Sequence, residues 1–280
     1  AYLDTLSPSY LQVLTTYTAA QDVQPYPVSA DSATTLEPDT ACLVVQHPNF
    51  FGYLEDLADL EQAARRAGAL LVVSTDPIAA GMIRPPGSYG ADIVTAEGQP
   101  LGIPVSFGGP YVGLFTCKSE YLRQLPGRIA GRTVDSQGQP AYVLTLQTRE
   151  QHIRRERATS NICTAEALIG LMATVYLATL GKEGLREVAE LCYHKAHYAA
   201  SIIQDIPGYS LPLNGTFFRE FVVQCPRPPA EINTALLERG ILGGLDVSDM
   251  IPNGMLLCVT ELNTRDEIDA LAAALRELGR

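Results

Sequence analysis

The chain has little of what several protein classes require. Only Lys118, Lys182 and Lys195 are lysine. Its six cysteines, Cys42, Cys117, Cys163, Cys192, Cys225 and Cys258, lie scattered in mostly apolar runs with no C-x-x-C pair. That usage fits reduced thiols in a cytoplasmic protein and excludes a disulfide frame or a zinc knuckle. Among the four histidines only His194 and His197 lie close together on a predicted helix, without a carboxylate between them, so no metal site is expected. No apolar run approaches the roughly 20 residues that span a bilayer, and no basic, apolar leader opens the chain. A net charge of −11 without a sustained basic face argues against a nucleic-acid partner. No internal repeat or low-complexity segment is present.

What remains describes a globular protein: 280 residues, 46% apolar and 18% charged, enough for one large or two modest domains. The chain begins at Ala1 inside a helix-like pattern, so a segment upstream is expected. Pro8 to Gln21 has helical spacing, and Val23 to Val28 reads as a short strand. Cys42–Gln46 and Ala69–Ser74 are apolar on both faces. Between them an amphipathic helix carries Leu57, Leu60, Ala63 and Ala64 and closes on Gly68. Doubly apolar strands alternating with helices imply a mostly parallel sheet covered on both sides, an α/β layer.

The stretch from Gly90 to Phe115 holds two short strands, Asp92–Thr95 and Val112–Thr116, around a loop rich in glycine and proline. Pro100, Pro104 and Pro110 fix φ and remove donors, which keeps the loop out of a helix. Such a loop is either a rigid structural turn or a functional loop at strand ends. Further on, Thr133-Val134 and Tyr142–Leu146 flank a hairpin turn, and a polar, cationic run spans Thr148 to Thr164. Two long helices follow, separated at Gly181. After Pro207 the pattern becomes a small α+β unit, with strands at Phe217–Val223 and Met255–Thr260 and a helix at Glu231–Arg239. A final helix opens on the capping box Thr264-Arg-Asp-Glu267. The expected organisation is a large α/β domain over 1–182, then a linking helix and small α+β domain over 183–280.

Several of these runs together resemble a known family. His47-Pro-Asn-Phe-Phe-Gly52, Glu97-Gly-Gln-Pro-Leu-Gly102, Phe107-Gly-Gly-Pro-Tyr111, Thr148 to Thr164, and Gly240 through Glu261 are similar to the glycine decarboxylase P-protein. Within it they resemble subunit 1 of the two-chain form, the N-terminal-half chain. The resemblance covers nearly the whole chain. It implies a pyridoxal-phosphate (PLP) enzyme of fold type I, aspartate-aminotransferase-like, with roughly the first third of the subunit absent here. The implied reaction is oxidative decarboxylation of glycine, with the aminomethyl group passed to the lipoyl arm of H-protein. The implied assembly is a heterotetramer with a subunit 2.

Such chemistry needs a Schiff-base lysine and a carboxylate beside the pyridine nitrogen. In the lysine-bearing half of the family, His-Lys-Thr-Phe-Cys-Ile-Pro stands where this chain has Gly98-Gln-Pro-Leu-Gly-Ile-Pro104. Gln99 therefore replaces the lysine, and an amide cannot form the imine. The resemblance makes this the lysine-less partner, which completes an active site whose lysine comes from subunit 2. Asp76, at a strand's carboxyl end, fits the carboxylate; before Pro77 it reads equally as a turn or N-cap aspartate. His47, at the end of the neighbouring strand, is a cofactor-binding candidate or a hydrogen-bonded structural histidine. Arg149, His152, Arg154, Arg155 and Arg157 are candidates for carboxylate or partner contacts, or a solvated charged face. Thr159, Ser160 and Asn161 precede a helix and suit either its cap or a ligand. Two other readings stand beside this one: a stand-alone aminotransferase-like enzyme using another lysine, and a non-catalytic scaffold of the same fold.

Overall fold

A computed structural model describes residues 1–30, 35–146, 151–158 and 166–279. A six-stranded sheet, ordered β2-β1-β3-β4-β5-β6, forms the base: β1 (Tyr2–Leu3), β2 (Pro27–Val28), β3 (Cys42–His47), β4 (Leu70–Thr75), β5 (Ile93–Glu97) and β6 (Gly113–Cys117). All neighbours are parallel except β5 and β6, because the loop between those two returns the chain antiparallel. The expected strand at 23–28 shrinks to its last two residues, and β1 was not anticipated. Helix α1 (Pro8–Thr18) begins with proline at its first turn, where the missing N–H costs nothing, and buries no residue.

Helix α2 (Leu57–Ala67) is fixed at both ends. Asp56 accepts from the amides of Ala58 and Asp59, and Gly68 at φ 70° returns its N–H to the carbonyls of Ala64 and Arg65. Its buried face, Leu57, Leu60, Ala63 and Ala64, is the one the spacing predicts. Leu57, Leu60 and Ala64 pack on Leu43, Val45, Leu71 and Val73 from β3 and β4.

The hairpin of β7 (Ile129–Val134) and β8 (Pro140–Thr145) is a separate two-stranded sheet, followed by the short α3 (Gln151–Arg154). Helix α4 (Ala167–Gln204) is two helical segments joined at Gly181, which is non-helical at φ 62°, ψ −170°. Before Gly181 the helix is apolar yet largely uncovered, with Leu168, Leu171 and Val175 exposed. An 18-residue window of α4 reaches mean hydropathy 1.2, so one described helix does meet the length and composition of a span. After Gly181 the helix buries Ala189, Cys192, Ala196, Ala199, Ala200 and Ile203.

The remaining elements are β9 (Glu220–Gln224), α5 (Pro229–Leu237), β10 (Leu245–Asp246), β11 (Gly254–Cys258) and α6 (Arg265–Leu278). Their antiparallel sheet has the order β10-β11-β9. Beneath α4 and α6 it buries Phe221, Val222, Val223 and Met255 completely. A side chain such as Phe221 contributes about 1.5–3 kcal/mol on leaving water. The capping box of α6 forms: the Thr264 hydroxyl accepts from the Glu267 amide at 3.2 Å, and the Glu267 carboxylate from the Thr264 amide at 2.7 Å.

The two sheets meet in a narrow seam. Tyr53 bridges Phe217, Leu54 N–H donates to Thr216 O at 2.9 Å, and Phe218 N–H donates to Gly52 O at 2.9 Å. Gly52 sits at φ 89° against β9, where a β-carbon would lie 2.0 Å from the carbonyl oxygen of Glu220.

Candidate active-site cleft at the strand ends

Parallel strands aligned in register place all their carboxyl ends along one edge, where side chains from several strands converge. Here Gln46 pairs with Ser74 and Thr75 with Ala96, so β3, β4 and β5 end level. A cleft of about 390 Å³ opens above them. It is lined by Gln46, Ser74 and Asp76 from the strand ends, Glu97 and Gln99 beyond β5, and Arg219 and Glu220 from the β9 side.

Asp76 lies in this cleft, as its strand-end position predicts, with both oxygens engaged. Oδ1 accepts from Ile78 N–H at 2.8 Å, and Oδ2 holds Arg219 Nη2 at 2.7 Å. The Asp76 and Arg219 side chains are only 14% and 15% exposed. Arg219 Nε lies 3.2 Å from Glu220 Oε1, without hydrogen-bond alignment. Burial by itself would lower the pKa of Arg219, but the adjoining Asp76 and Glu220 carboxylates outweigh it and hold the guanidinium charged. Burial raises the pKa of Glu220, and Arg219 offsets only part of that rise. Tyr10 reaches in from α1; loss of solvent raises its hydroxyl pKa against the lowering effect of a hydrogen bond with Ser74.

Gln99 lines the cleft but is tied down. Its Nε2 donates to Ile103 O at 2.5 Å and its N–H to Glu97 Oε1 at 2.9 Å. The loop from 98 to 112 does two jobs. Leu101 and Ile103 are buried in a core with Ala173, Ala189, Cys192 and Phe218. Val105 and Phe107 beyond them are exposed. Gly102 at φ 81° lies where a β-carbon would meet the Tyr176 ring at 2.7 Å, so the loop's first half is pressed onto α4.

His47 sits elsewhere. Alternation along β3 puts its side chain on the buried face with Leu43 and Val45, while Gln46 takes the cleft face. His47 Nδ1 accepts from Glu55 N–H at 3.1 Å, which leaves the ring proton on Nε2. Burial pushes the His47 pKa down to about 4. His152, Arg154, Arg155 and Arg157 are exposed and do not line the cleft. Arg149, Thr159, Ser160 and Asn161 lie outside the described residues. Sequence reasoning missed Arg219, Glu220, Gln46 and Tyr10. The one available signal was an arginine inside the strand-like run Phe217–Val223.

The cleft does not suit a covalently held PLP. None of its lining residues is a lysine. Lys118 Nζ is paired to Asp92 Oδ1 at 2.5 Å. Lys195 Nζ donates to the carbonyls of Glu261 and Asn263 at 2.5 and 2.6 Å, and Lys182 is exposed on α4. Asp76, the one carboxylate in the expected place, is neutralised by Arg219.

The fold is nonetheless that of the PLP-dependent fold type I enzymes. Structures of a cystine C-S lyase, one with glycine linked to its PLP cofactor, superpose over 99–100% of this chain and 73–75% of theirs, with TM-scores of 0.68 and 0.69 at 17–18% identity. The closer likenesses are specific. The pattern of the glycine cleavage system P-protein matches residues 3–275. A crystal structure of glycine decarboxylase, the P-protein of the glycine cleavage system, superposes with a TM-score of 0.92 at 41% identity, over 99% of this chain and 64% of that one. Proteins named "Probable glycine dehydrogenase (decarboxylating) subunit 1" are 56% identical in Thermomicrobium roseum and 49% in Desulforamulus reducens, over 98% and 97% of this chain. The chain belongs to the glycine cleavage system P-protein family. It spans 64% and 63% of the length of those two relatives.

Proposed function

We propose that this chain is the lysine-less subunit of a two-chain glycine decarboxylase. One observation carries the reading: the cleft is lined by no lysine, and Gln99, which the family resemblance sets where the Schiff-base lysine would be, has its amide held by Ile103 O. PLP, when bound in the assembled enzyme, would supply the electron sink for loss of CO2 from glycine, and it would be held through the partner's lysine. This chain's part is to hold shape. Asp76 and Arg219 neutralise each other, and Leu101 and Ile103 fix the loop that carries Gln99. Lipoylated H-protein would receive the aminomethyl group, and a cytoplasmic setting suits the reduced thiols.

Borohydride trapping with PLP, followed by peptide mass mapping, tests this. The expected result is no pyridoxyl group on Lys118, Lys182 or Lys195, and release of CO2 from glycine only when the lysine-bearing subunit and H-protein are added. Stoichiometric labelling of a lysine in this chain would instead favour a stand-alone enzyme.

A further inference from the structure

We propose that residues 123–146 and 151–157 form a docking arm for a separate protein surface that carries carboxylates around an apolar patch. The proposal rests on the two-chain reading above and names the surface and the chemistry by which the second chain would be held.

Three observations converge. The first is isolation: no described residue between 115 and 168 belongs to any of the three hydrophobic cores. Strands β7 and β8 pair in register from Ile129↔Thr145 to Val134↔Pro140, as a sheet of two strands only. Such a ladder is marginal in water unless a third layer covers it. The second is apolar exposure. Val134, Tyr142, Val143 and Ile153 are exposed, Tyr142 by 72% and Val134 by 63%, and Val134 and Tyr142 share one face of the ladder with Arg132. The third is charge. Residues 123–146 and 151–157 carry six of the chain's arginines against two carboxylates, a net +4, which leaves −15 for the rest of the chain. Arg123, Arg128 and Arg132 are exposed, and Arg132 faces Tyr142 across the ladder.

Guanidinium groups interleaved with exposed aromatic and branched side chains match a protein surface with an acidic rim and an apolar centre. The designation "subunit 1" carried by the relatives favours a different chain over a second copy as the occupant.

The test titrates the full chain with the lysine-bearing subunit calorimetrically, at low and at high salt. The double variants Arg128→Glu/Arg132→Glu and Val134→Ser/Tyr142→Ser are compared with wild type. Each double variant should weaken association by about tenfold or more while its thermal melting stays unchanged. Wild-type affinity should fall with salt more steeply than that of the charge-reversed variant. If wild type binds and both variants bind equally well, the arm proposal alone falls. If wild type does not bind the subunit at all, the two-chain reading falls and takes the arm with it. Self-association of wild type that the arm variants abolish would reassign the surface to a second copy. Arm-dependent retention on phosphatidylserine vesicles, without any effect on subunit binding, would overturn the proposal in favour of a membrane.

Discussion

Two short antiparallel ladders in this molecule have opposite fates. In β9 and β11 the central residues Phe221, Val222, Val223 and Met255 are fully buried. In β7 and β8 most side chains are exposed, Tyr142 and Val143 among them. Both ladders carry apolar and branched residues, so composition does not separate them. What separates them is company: β9 and β11 lie beneath α4 and α6, whereas no third layer covers the hairpin among the described residues. The sequence spends equal strand-forming chemistry on both, but among the described residues only one ladder is covered.

Substitutions sharpen the contrast. Phe221→Ala removes a ring from a closed core and should cost about 3–5 kcal/mol in urea denaturation. A loss near that of a surface change would break the comparison. Asp76→Asn leaves the Arg219 guanidinium short of its closest counter-charge and should cost about 3–4 kcal/mol. An Asp76→Asn/Arg219→Met double variant should recover part of the loss, and strict additivity would mean that the pair is not coupled.

Protonation of His47 gives a pH signature for the body of the protein. Its pKa lies lowered from 6.5 to about 4, so the unfolded chain takes up the proton first as pH falls. The stability it contributes is whole above pH 6.5 and drains away down to about pH 4, a difference of about 3 kcal/mol. His47→Gln should flatten that limb of the pH–stability curve; an unaltered slope would show that the ring titrates normally. The smallest change belongs to the other ladder. Tyr142→Ser in the isolated chain should stay within about 0.5 kcal/mol, and a loss above about 2 kcal/mol would mean that the hairpin is packed within the chain.

Local signals revealed much of this. The Gly68 stop, the Thr264-Glu267 box and the Gly181 break are short-range features, and each stands where the residues point. The two faces of β3 were not legible, because the run from Cys42 to Gln46 is apolar on both sides, and His47 was the cleft candidate where Gln46 stands. Arg219 was not legible either. Its partner Asp76 is remote in sequence, and nothing within Phe217–Val223 distinguishes an arginine that closes a cleft from one facing water. The pairing of Tyr2 with Val44 and Pro27 depends equally on distant chain, and two residues carry no periodicity.

The seam at Gly52 has a mechanical consequence. A hinge between the two sheets would have to turn about residues 52–54 and 216–220. There three hydrogen-bonded or bridged backbone contacts and the adjoining Asp76–Arg219 pair would have to yield together. At position 52 an added carbon would strike the Glu220 carbonyl, so the two elements meet there backbone to backbone. Widening the cleft at this seam would therefore break these contacts as a set.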